Sequence, residues 1–240
     1  MTTKVNLAIL IGLGAIYAVL AQDLPTPTQT APSTPTPSPT PAAEQTHPAT
    51  PTRNVQLRFV PPPMEGTISL GVFDSDRKLV RILHREAKID NFTVDADSLN
   101  TTWDGKNDTG EDLPAGRYRA RGYLVAHFIL EDLGKANGPP LGDAQDHVSV
   151  KLVTNPLVSD TRSVVDIGVG FDDKGSFLKT MDGLPLFTMS ATPNLVRVLI
   201  TKNGEKSADV WQDDGAAVEQ FRVSNIDKMM AFDCGDFELK

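Results

Sequence analysis

The chain has 240 residues, a formal net charge of −8 and a sequence pI near 5.0. This length allows one or two domains, and the negative charge disfavours nonspecific binding to nucleic acid or to anionic lipid. The single cysteine, Cys234, excludes an intrachain disulfide bond, and its role is left unassigned. An exported protein without disulfides is more typical of a bacterium than of a small eukaryotic secreted domain.

Residues 1–21 have the parts of a secretory signal peptide. One lysine precedes an apolar stretch from Leu7 to Leu20, and Val19 and Ala21 are small residues at the −3 and −1 positions of a cleavage site. The stretch is short for a membrane span, but an uncleaved anchor stays open as the alternative. The sequence therefore predicts export to the periplasm, the cell surface or the medium, with membrane contact only through this segment if it is uncleaved.

Residues 22–53 are dominated by proline, threonine, serine and alanine. Such a composition buries too little apolar surface to offset the entropy of ordering, which predicts a disordered linker. Its prolines favour extended polyproline II, so the linker is expected to act as a semi-rigid spacer. A leader without any partner is the alternative reading.

From Asn54 the apolar pattern alternates, which indicates strands. A hairpin is predicted at residues 67–83, with its turn at residues 74–77, whereas residues 131–146 lack periodicity and are predicted to form a long connection. No stretch has helical apolar spacing over three turns, so the predicted fold class is all-β. The strands predicted in this first region are residues 55–59, 67–73, 79–83, 92–95, 101–103, 117–129 and 147–153.

A turn-rich stretch from Thr102 to Tyr118 organises this first region. Trp103 is its largest apolar side chain and is predicted to fill the centre of a small core. Glycines mark a first turn, and residues 113–116 are predicted to form a second reversal with Gly116 at positive φ. The residues of this structural signature are Trp103, Asp104, Gly105, Asp108, Gly110, Pro114, Gly116 and Tyr118.

This signature, together with the hairpin of residues 66–83, resembles the Ig-like domain of the FlgD flagellar hook-capping family. The resemblance covers about residues 55–125. It implies an Ig-like antiparallel β-sandwich over residues 54–155 and no catalytic residue, because the matched positions are core and turn positions. The module is reused in secreted bacterial proteins. Where the hook-capping proteins have a hook-binding region, this chain has the signal-like segment and the linker.

Residues 160–240 are predicted to form a second β domain. Residues 164–190 and 195–224 both read as three strands joined by turns, and residues 229–240 read as a partial third unit. The period of about thirty residues weakly resembles that of propeller blades. So few units cannot close a ring, and a meandering antiparallel sheet or small sandwich is predicted.

No constellation in the sequence predicts a catalytic residue, a metal site or a cofactor. The histidines at positions 47, 84, 127 and 147 lack metal-ligand spacing. A calcium loop is considered for the acidic cluster Asp104, Asn107, Asp108 and Asp112. Lys106 lies where such a loop needs an oxygen ligand. Turn chemistry accounts for the same residues without a metal.

Trp211 is the one predicted contact residue. In the strand of residues 208–212, Val210 and Trp211 point to opposite faces, so one of them faces away from the core. Trp211 is therefore the candidate for a contact surface, and packing against a neighbouring domain is the alternative.

These features favour a non-enzymatic exported protein with a structural, adhesive or assembly role in the bacterial cell envelope. Its expected partner is an envelope protein or polysaccharide and not nucleic acid. A carbohydrate-binding accessory module is the first alternative. An enzyme of the propeller or lyase kind and a flagellar hook-assembly protein are further alternatives.

Overall fold

A computed structural model of the chain describes residues 53–138, 145–157, 160, 162–190, 192 and 194–240. The predicted signal peptide and, apart from Arg53, the predicted linker lie outside the described residues. Inside them the fold is all-β, as predicted, with four antiparallel sheets and one short 3-10 turn at Ile89–Asn91. In this described part, no helix is long and apolar enough to cross a membrane.

The strands agree closely with the predicted alternation, and the β2–β3 hairpin turns at the predicted residues. In chain order the strands are β1 (Val55–Phe59), β2 (Thr67–Phe73), β3 (Leu79–Ala87), β4 (Thr93–Asp95), β5 (Ser98–Trp103), β6 (Gly116–Val125), β7 (Ile129–Ala136), β8 (His147–Lys151), β9 (Val164–Asp172), β10 (Gly175–Thr180), β11 (Pro185–Ser190), β12 (Arg197–Lys202), β13 (Ser207–Asp213), β14 (Val218–Ser224) and β15 (Met229–Leu239).

A first core lies between a three-stranded sheet, of order β1-β5-β4, and a four-stranded sheet, of order β15-β6-β2-β3. Trp103 is at its centre and exposes 1% of its surface. The indole meets Tyr118 and Phe237 edge-on, with ring centroids 5.3 and 5.6 Å away, as aromatic pairs prefer. The predicted role of Trp103 as the core tryptophan of a β-sandwich therefore agrees with its place in the structure.

A second core lies against the other face of the β15-β6-β2-β3 sheet. It also contains side chains from the β11-β10-β9-β8 and β12-β13-β14-β7 sheets. Because successive side chains of a strand point to opposite faces, Leu124 enters the first core while Tyr123 and Val125 enter the second. Phe232 and Ala231 divide in the same way on β15. The β15-β6-β2-β3 sheet is thus a shared layer between the two cores.

The sheets cross the predicted boundary between residues 54–155 and residues 160–240. β15 pairs with β6 along its whole length, and β14 pairs with β7. Residues 50–240 accordingly cluster as one compact unit. The two predicted sets of three strands are present as the meanders β9-β10-β11 and β12-β13-β14, one in each of two separate sheets. A propeller-like arrangement of these meanders stays a prediction.

Two strand predictions were wrong. Residues 131–136, part of the predicted long connection, belong to the edge strand β7 (Ile129–Ala136). The side chains of this strand are mostly exposed, so it lacks the usual apolar alternation. The partial third unit at residues 229–240 is instead the single strand β15. Its Cys234-Gly235 pair is a β-bulge, where one extra residue shifts the register, and not a turn.

The predicted positive φ of Gly116 was also wrong. Gly105 and Gly110, in the first turn, have φ of 76° and 84°, whereas Gly116 is outside the left-handed region. It opens β6 and pairs with Leu239. The chain therefore reverses before Gly116, and this glycine does not supply the conformational freedom of the turn.

Candidate functional site

The aromatic residues of the signature hold the turn between β5 and β6. The Trp103 Nε1–H donates to the Lys106 carbonyl oxygen at 2.8 Å. The Tyr118 hydroxyl donates to the Pro114 carbonyl oxygen, also at 2.8 Å. Both bonds join a core side chain to backbone that has no partner in a strand, so these signature residues have a structural use.

The acidic signature residues are used in the same way. Asp104 accepts the Lys106 backbone N–H at 3.1 Å, and Asp108 accepts the Ile82 backbone N–H at 2.9 Å, which ties the turn to β3. Asp112 forms an ion pair with the Lys106 side chain at 3.1 Å. Among the described residues no group of three or more His, Cys, Asp or Glu is placed to hold a metal ion.

The other titratable residues singled out in the sequence lie apart from one another. His84 contacts the Thr101 hydroxyl at 2.8 Å, and partial burial lowers the pKa of its imidazole. His147 pairs with its neighbour Asp146, and His47 lies outside the described residues. Burial raises the pKa of the Cys234 thiol to about 12, with a smaller contribution from Asp233. A thiol with so high a pKa is a poor nucleophile near neutral pH.

Trp211 lies on the face of β13 opposite Val210, as its sequence position implies. Val210 is in the second core, while Trp211 has Leu199 of β12 and Gln220 of β14 as its cross-strand neighbours. The indole nevertheless exposes only 5% of its surface. It lines a concavity of about 540 Å³, here called the Trp211 pocket. The pocket is also lined by Gly138, Gln145, Thr201, Lys202, Asn203, Asp209 and Gln220.

Asp209 organises the polar side of the Trp211 pocket. Its carboxylate accepts hydrogen bonds from Arg222 at 2.7 and 3.0 Å, from the Asn203 amide at 3.2 Å and from the Gln220 amide at 3.3 Å. Burial by itself raises the pKa of Asp209, but these bonds outweigh it and hold the pKa below its usual value. Because Asp209 holds both amide nitrogens, the amide oxygens of Asn203 and Gln220 point away from the carboxylate.

The indole N–H of Trp211 is buried and has no hydrogen-bond acceptor in the described part of the chain. A buried donor in this state costs about 1–3 kcal/mol relative to a satisfied one. Because solvent does not reach this N–H, the groups that the Trp211 pocket offers to a ligand are the amides of Asn203 and Gln220, which Asp209 fixes in direction.

A second concavity, of about 400 Å³, lies where the shared sheet extends past the second core. We call it the arginine cleft. On β6, Arg119 and Arg121 face Asp236 and Asp233 of β15 across the strand pair. The cleft is lined by Phe73, Asp74, Arg77, Arg119, Arg121, Asp160, Arg162, Asp233 and Gly235.

Three of its arginines are held by carboxylates. Arg119 pairs with Asp233 at 2.5 Å, Arg121 with Asp182 at 2.7 Å and Arg162 with Asp160 at 2.6 Å. Arginine at alternate positions of β6 was visible in the sequence and could have indicated a basic strip on one face. The acidic partners were not foreseeable, because they lie in distant segments that only the fold brings together.

No protein-family model, no curated protein and no solved structure matches this chain. The likeness of residues 55–125 to the hook-capping Ig-like module therefore stays a prediction. The comparisons therefore indicate no ligand for the Trp211 pocket or for the arginine cleft.

Proposed function

We propose that this chain is a non-enzymatic, exported β-sandwich protein with a structural, adhesive or assembly role in the bacterial cell envelope. The signal-like residues 1–21 and the proline-rich residues 22–53 support export and presentation on a spacer. An Ig-like identity of the first sandwich is part of the proposal. It is supported by the buried Trp103 and by the hydrogen bond from Tyr118 to Pro114, which is similar to the tyrosine corner of Ig-like domains.

The Trp211 pocket is the observation that carries this proposal. It lies on the face of the β12-β13-β14-β7 sheet that points away from the second core. It contains a tryptophan, an arginine-bound carboxylate and two side-chain amides that this carboxylate holds. Partner contacts concentrate in such places, where a large aromatic ring is fixed in a concave surface rimmed by polar groups.

Site-specific photo-crosslinking in the producing cell tests the partner contact. A benzophenone amino acid replaces Thr201 on the rim of the Trp211 pocket, and in a control protein it replaces Lys174, an exposed residue in the β9–β10 turn. We expect a discrete crosslinked envelope component from position 201 and none from position 174. Equal crosslinking at both positions, or no product from position 201, would contradict the proposed contact surface.

A carbohydrate-binding module is the second candidate function, and the chemistry of the pocket favours it. Fixed side-chain amides can bind the hydroxyl groups of a neutral sugar. Because Trp211 exposes only 5% of its surface, a sugar would be held by hydrogen bonds and not by stacking on an open ring.

Pull-down on insoluble polysaccharides separates this candidate from a protein partner. Trp211→Ala removes the indole that lines the pocket and should abolish polysaccharide binding, whereas Trp211→Phe keeps an aromatic ring there and should only reduce it. Lys174→Ala is the matched surface control and should bind like the unaltered protein. Binding that persists in both Trp211 variants would exclude the pocket as the sugar site.

A further inference from the structure

The Trp211 pocket is built on two cross-strand pairs that share one face of their sheet. Thr201 of β12 lies opposite Asp209 of β13, and Trp211 of β13 lies opposite Gln220 of β14. Because alternate residues of a strand share a face, Asp209 and Trp211 line the concavity together, with Thr201 on one side of β13 and Gln220 on the other. The aromatic and the polar parts of the lining are therefore close neighbours.

The carboxylate of Asp209 decides which atoms of the amides a ligand meets. An ionised carboxylate only accepts hydrogen bonds, so the amide groups of Asn203 and Gln220 that lie 3.2 and 3.3 Å from it are their NH₂ groups. Both side chains are half-buried, and neither amide oxygen is among the buried unpaired atoms of the described chain. The pocket thus offers a ligand two fixed acceptor oxygens, which require N–H or O–H donors.

The charges of the lining favour a neutral ligand. Asp209 is the carboxylate of the lining, and Arg222 already binds it at 2.7 and 3.0 Å. The Lys202 ammonium donates to the Ser149 carbonyl oxygen at 3.0 Å. A cationic ligand would find no free carboxylate in this lining, and an anionic ligand would meet Asp209 and two amide oxygens. Either ion would lose water without gaining a countercharge.

The small exposed part of Trp211 distinguishes among neutral ligands. With 5% of its surface exposed, the indole is too covered for the face of a sugar ring to stack on it, but it can contact a methyl group. The Thr201 hydroxyl and the Gln145 side-chain amide supply hydrogen-bond donors on the same lining. An acetamido group has the matching parts, namely an N–H donor, a carbonyl acceptor and a methyl group.

A peptide backbone also contains amide groups, but the position of the pocket is unfavourable for it. Extended peptides typically bind by adding a strand to the free edge of a sheet. The Trp211 pocket lies on the face of a sheet, across the paired strands β12, β13 and β14. The acetamido group of a sugar is a side group, so it can enter a concavity of this kind from above.

We propose that the Trp211 pocket binds the acetamido group of an N-acetylated amino sugar in an envelope polysaccharide. The acetamido N–H donates to one of the fixed amide oxygens, and a neighbouring sugar hydroxyl donates to the other. The acetyl carbonyl accepts from Thr201 or Gln145, and the methyl group contacts the exposed part of Trp211. This inference rests on the proposed function in its carbohydrate-binding form, and it names the ligand class of that same site.

Isothermal titration of the full chain with three matched tetrasaccharides tests the inference. N-acetylchitotetraose carries an acetamido group on each sugar, cellotetraose carries a hydroxyl there, and the glucosamine tetramer carries an ammonium group. We expect saturable binding of N-acetylchitotetraose and at least about tenfold weaker binding of the other two, because they lack the acetyl carbonyl and the methyl group. Equal or tighter binding of either, or no saturable binding of N-acetylchitotetraose, would overturn the inference.

Two further observations separate this inference from its neighbours. N-acetylalanine N-methylamide presents peptide amides without a sugar, and binding as tight as that of N-acetylchitotetraose would overturn the inference in favour of a peptide ligand. A protein crosslinked from position 201, with no binding of N-acetylchitotetraose, would overturn the inference and leave the proposed contact surface intact. Binding of N-acetylchitotetraose without any crosslinked envelope component would support the ligand class and contradict only the envelope partner.

Two variants and one control locate the site. Gln220→Met keeps the length of the side chain but removes the amide, and it should weaken binding of N-acetylchitotetraose about tenfold. Thr201→Val should weaken it several-fold, and this variant decides the question if Gln220→Met does not fold. Gln56→Met is the matched control, because Gln56 is exposed on β1 and lies outside the pocket. Unchanged binding in Thr201→Val, or equal losses in Gln56→Met and Gln220→Met, would contradict the site.

Discussion

The indole N–H of Trp103 is bonded to the carbonyl oxygen of Lys106, three residues further along the chain, at 2.8 Å. One side chain therefore fills the first core and fixes the turn that follows β5. This turn is also tied to β3, because the Ile82 backbone N–H donates a hydrogen bond to the Asp108 carboxylate. Packing of the core and the path of the turn are thus coupled through a few short contacts.

Trp103→Ala should destabilise the fold by roughly 3–5 kcal/mol, because it removes a fully buried ring and leaves a cavity. Trp103→Phe should cost less, since a ring remains but the Lys106 carbonyl loses its donor. Urea denaturation followed by circular dichroism measures both. A midpoint unchanged in Trp103→Ala would mean that the indole is not in the core.

Two glycines of β6 should respond in opposite ways to alanine. A β-carbon at Gly122 would lie 2.2 Å from the Ser69 carbonyl oxygen and 2.7 Å from the Phe232 ring, so Gly122→Ala should destabilise by about 1–3 kcal/mol or more. At Gly116 the nearest atom is 4.0 Å away, and alanine should be neutral or stabilising by about 0.5 kcal/mol. Thermal melts of the two variants compare them directly, and equal melting temperatures would contradict this account of the shared sheet.

Cys234 should react slowly with thiol reagents in the folded protein. With a pKa of about 12, only about one thiol in 10⁴ is ionised at pH 8, whereas about a quarter would be ionised at an ordinary cysteine pKa. We expect labelling by a disulfide reagent at pH 8 to be at least about 100-fold slower than in guanidinium chloride. Equal rates in the two solvents would show that the bulge at Cys234 opens freely.

Asp209 should make stability depend on acid pH. Its pKa is below the ordinary value in the folded state, so it contributes stability above the unfolded pKa of about 3.9 and loses it as the pH falls through the folded pKa. Asp209→Asn should therefore destabilise at pH 7, on the order of 1–3 kcal/mol. It should also show a smaller loss of stability between pH 5 and pH 3 than the unaltered protein.

Urea denaturation of the two proteins at each pH measures that difference. Asp173→Asn, an exposed change in the β9–β10 turn, is the control and should retain the acid dependence of the unaltered protein. If Asp209→Asn retained the full acid dependence of stability, the hydrogen bonds to the Asp209 carboxylate would not be formed in solution.

Local sequence signals predicted the local structure well. The β2–β3 hairpin, the two three-stranded meanders and the burial of Trp103 all depend on neighbouring residues, whose alternation and turn chemistry are visible in the chain. The pairings of β6 with β15 and of β7 with β14 were not predicted. They join distant segments, and strand alternation does not say which strand is the partner.

The same limit applies to the two candidate sites. The alternation of side chains along a strand correctly predicted that Trp211 lies on the face of β13 opposite Val210. Its deep burial and the role of Asp209 depend on the neighbouring strands β12 and β14. The arginine cleft was missed altogether. Arg119 and Arg121 are neighbours in sequence, but Asp182, Asp233 and Arg162 reach them only in the folded chain.

The position of β15 has a consequence for how this molecule is made. Phe232 seals one hydrophobic interior and Ala231 the other, so both stay unfinished until residues 229–239 have been synthesised. A nascent chain of this design cannot complete its folding early. We therefore expect both cores to become fully packed only after residues 229–239 have left the ribosome.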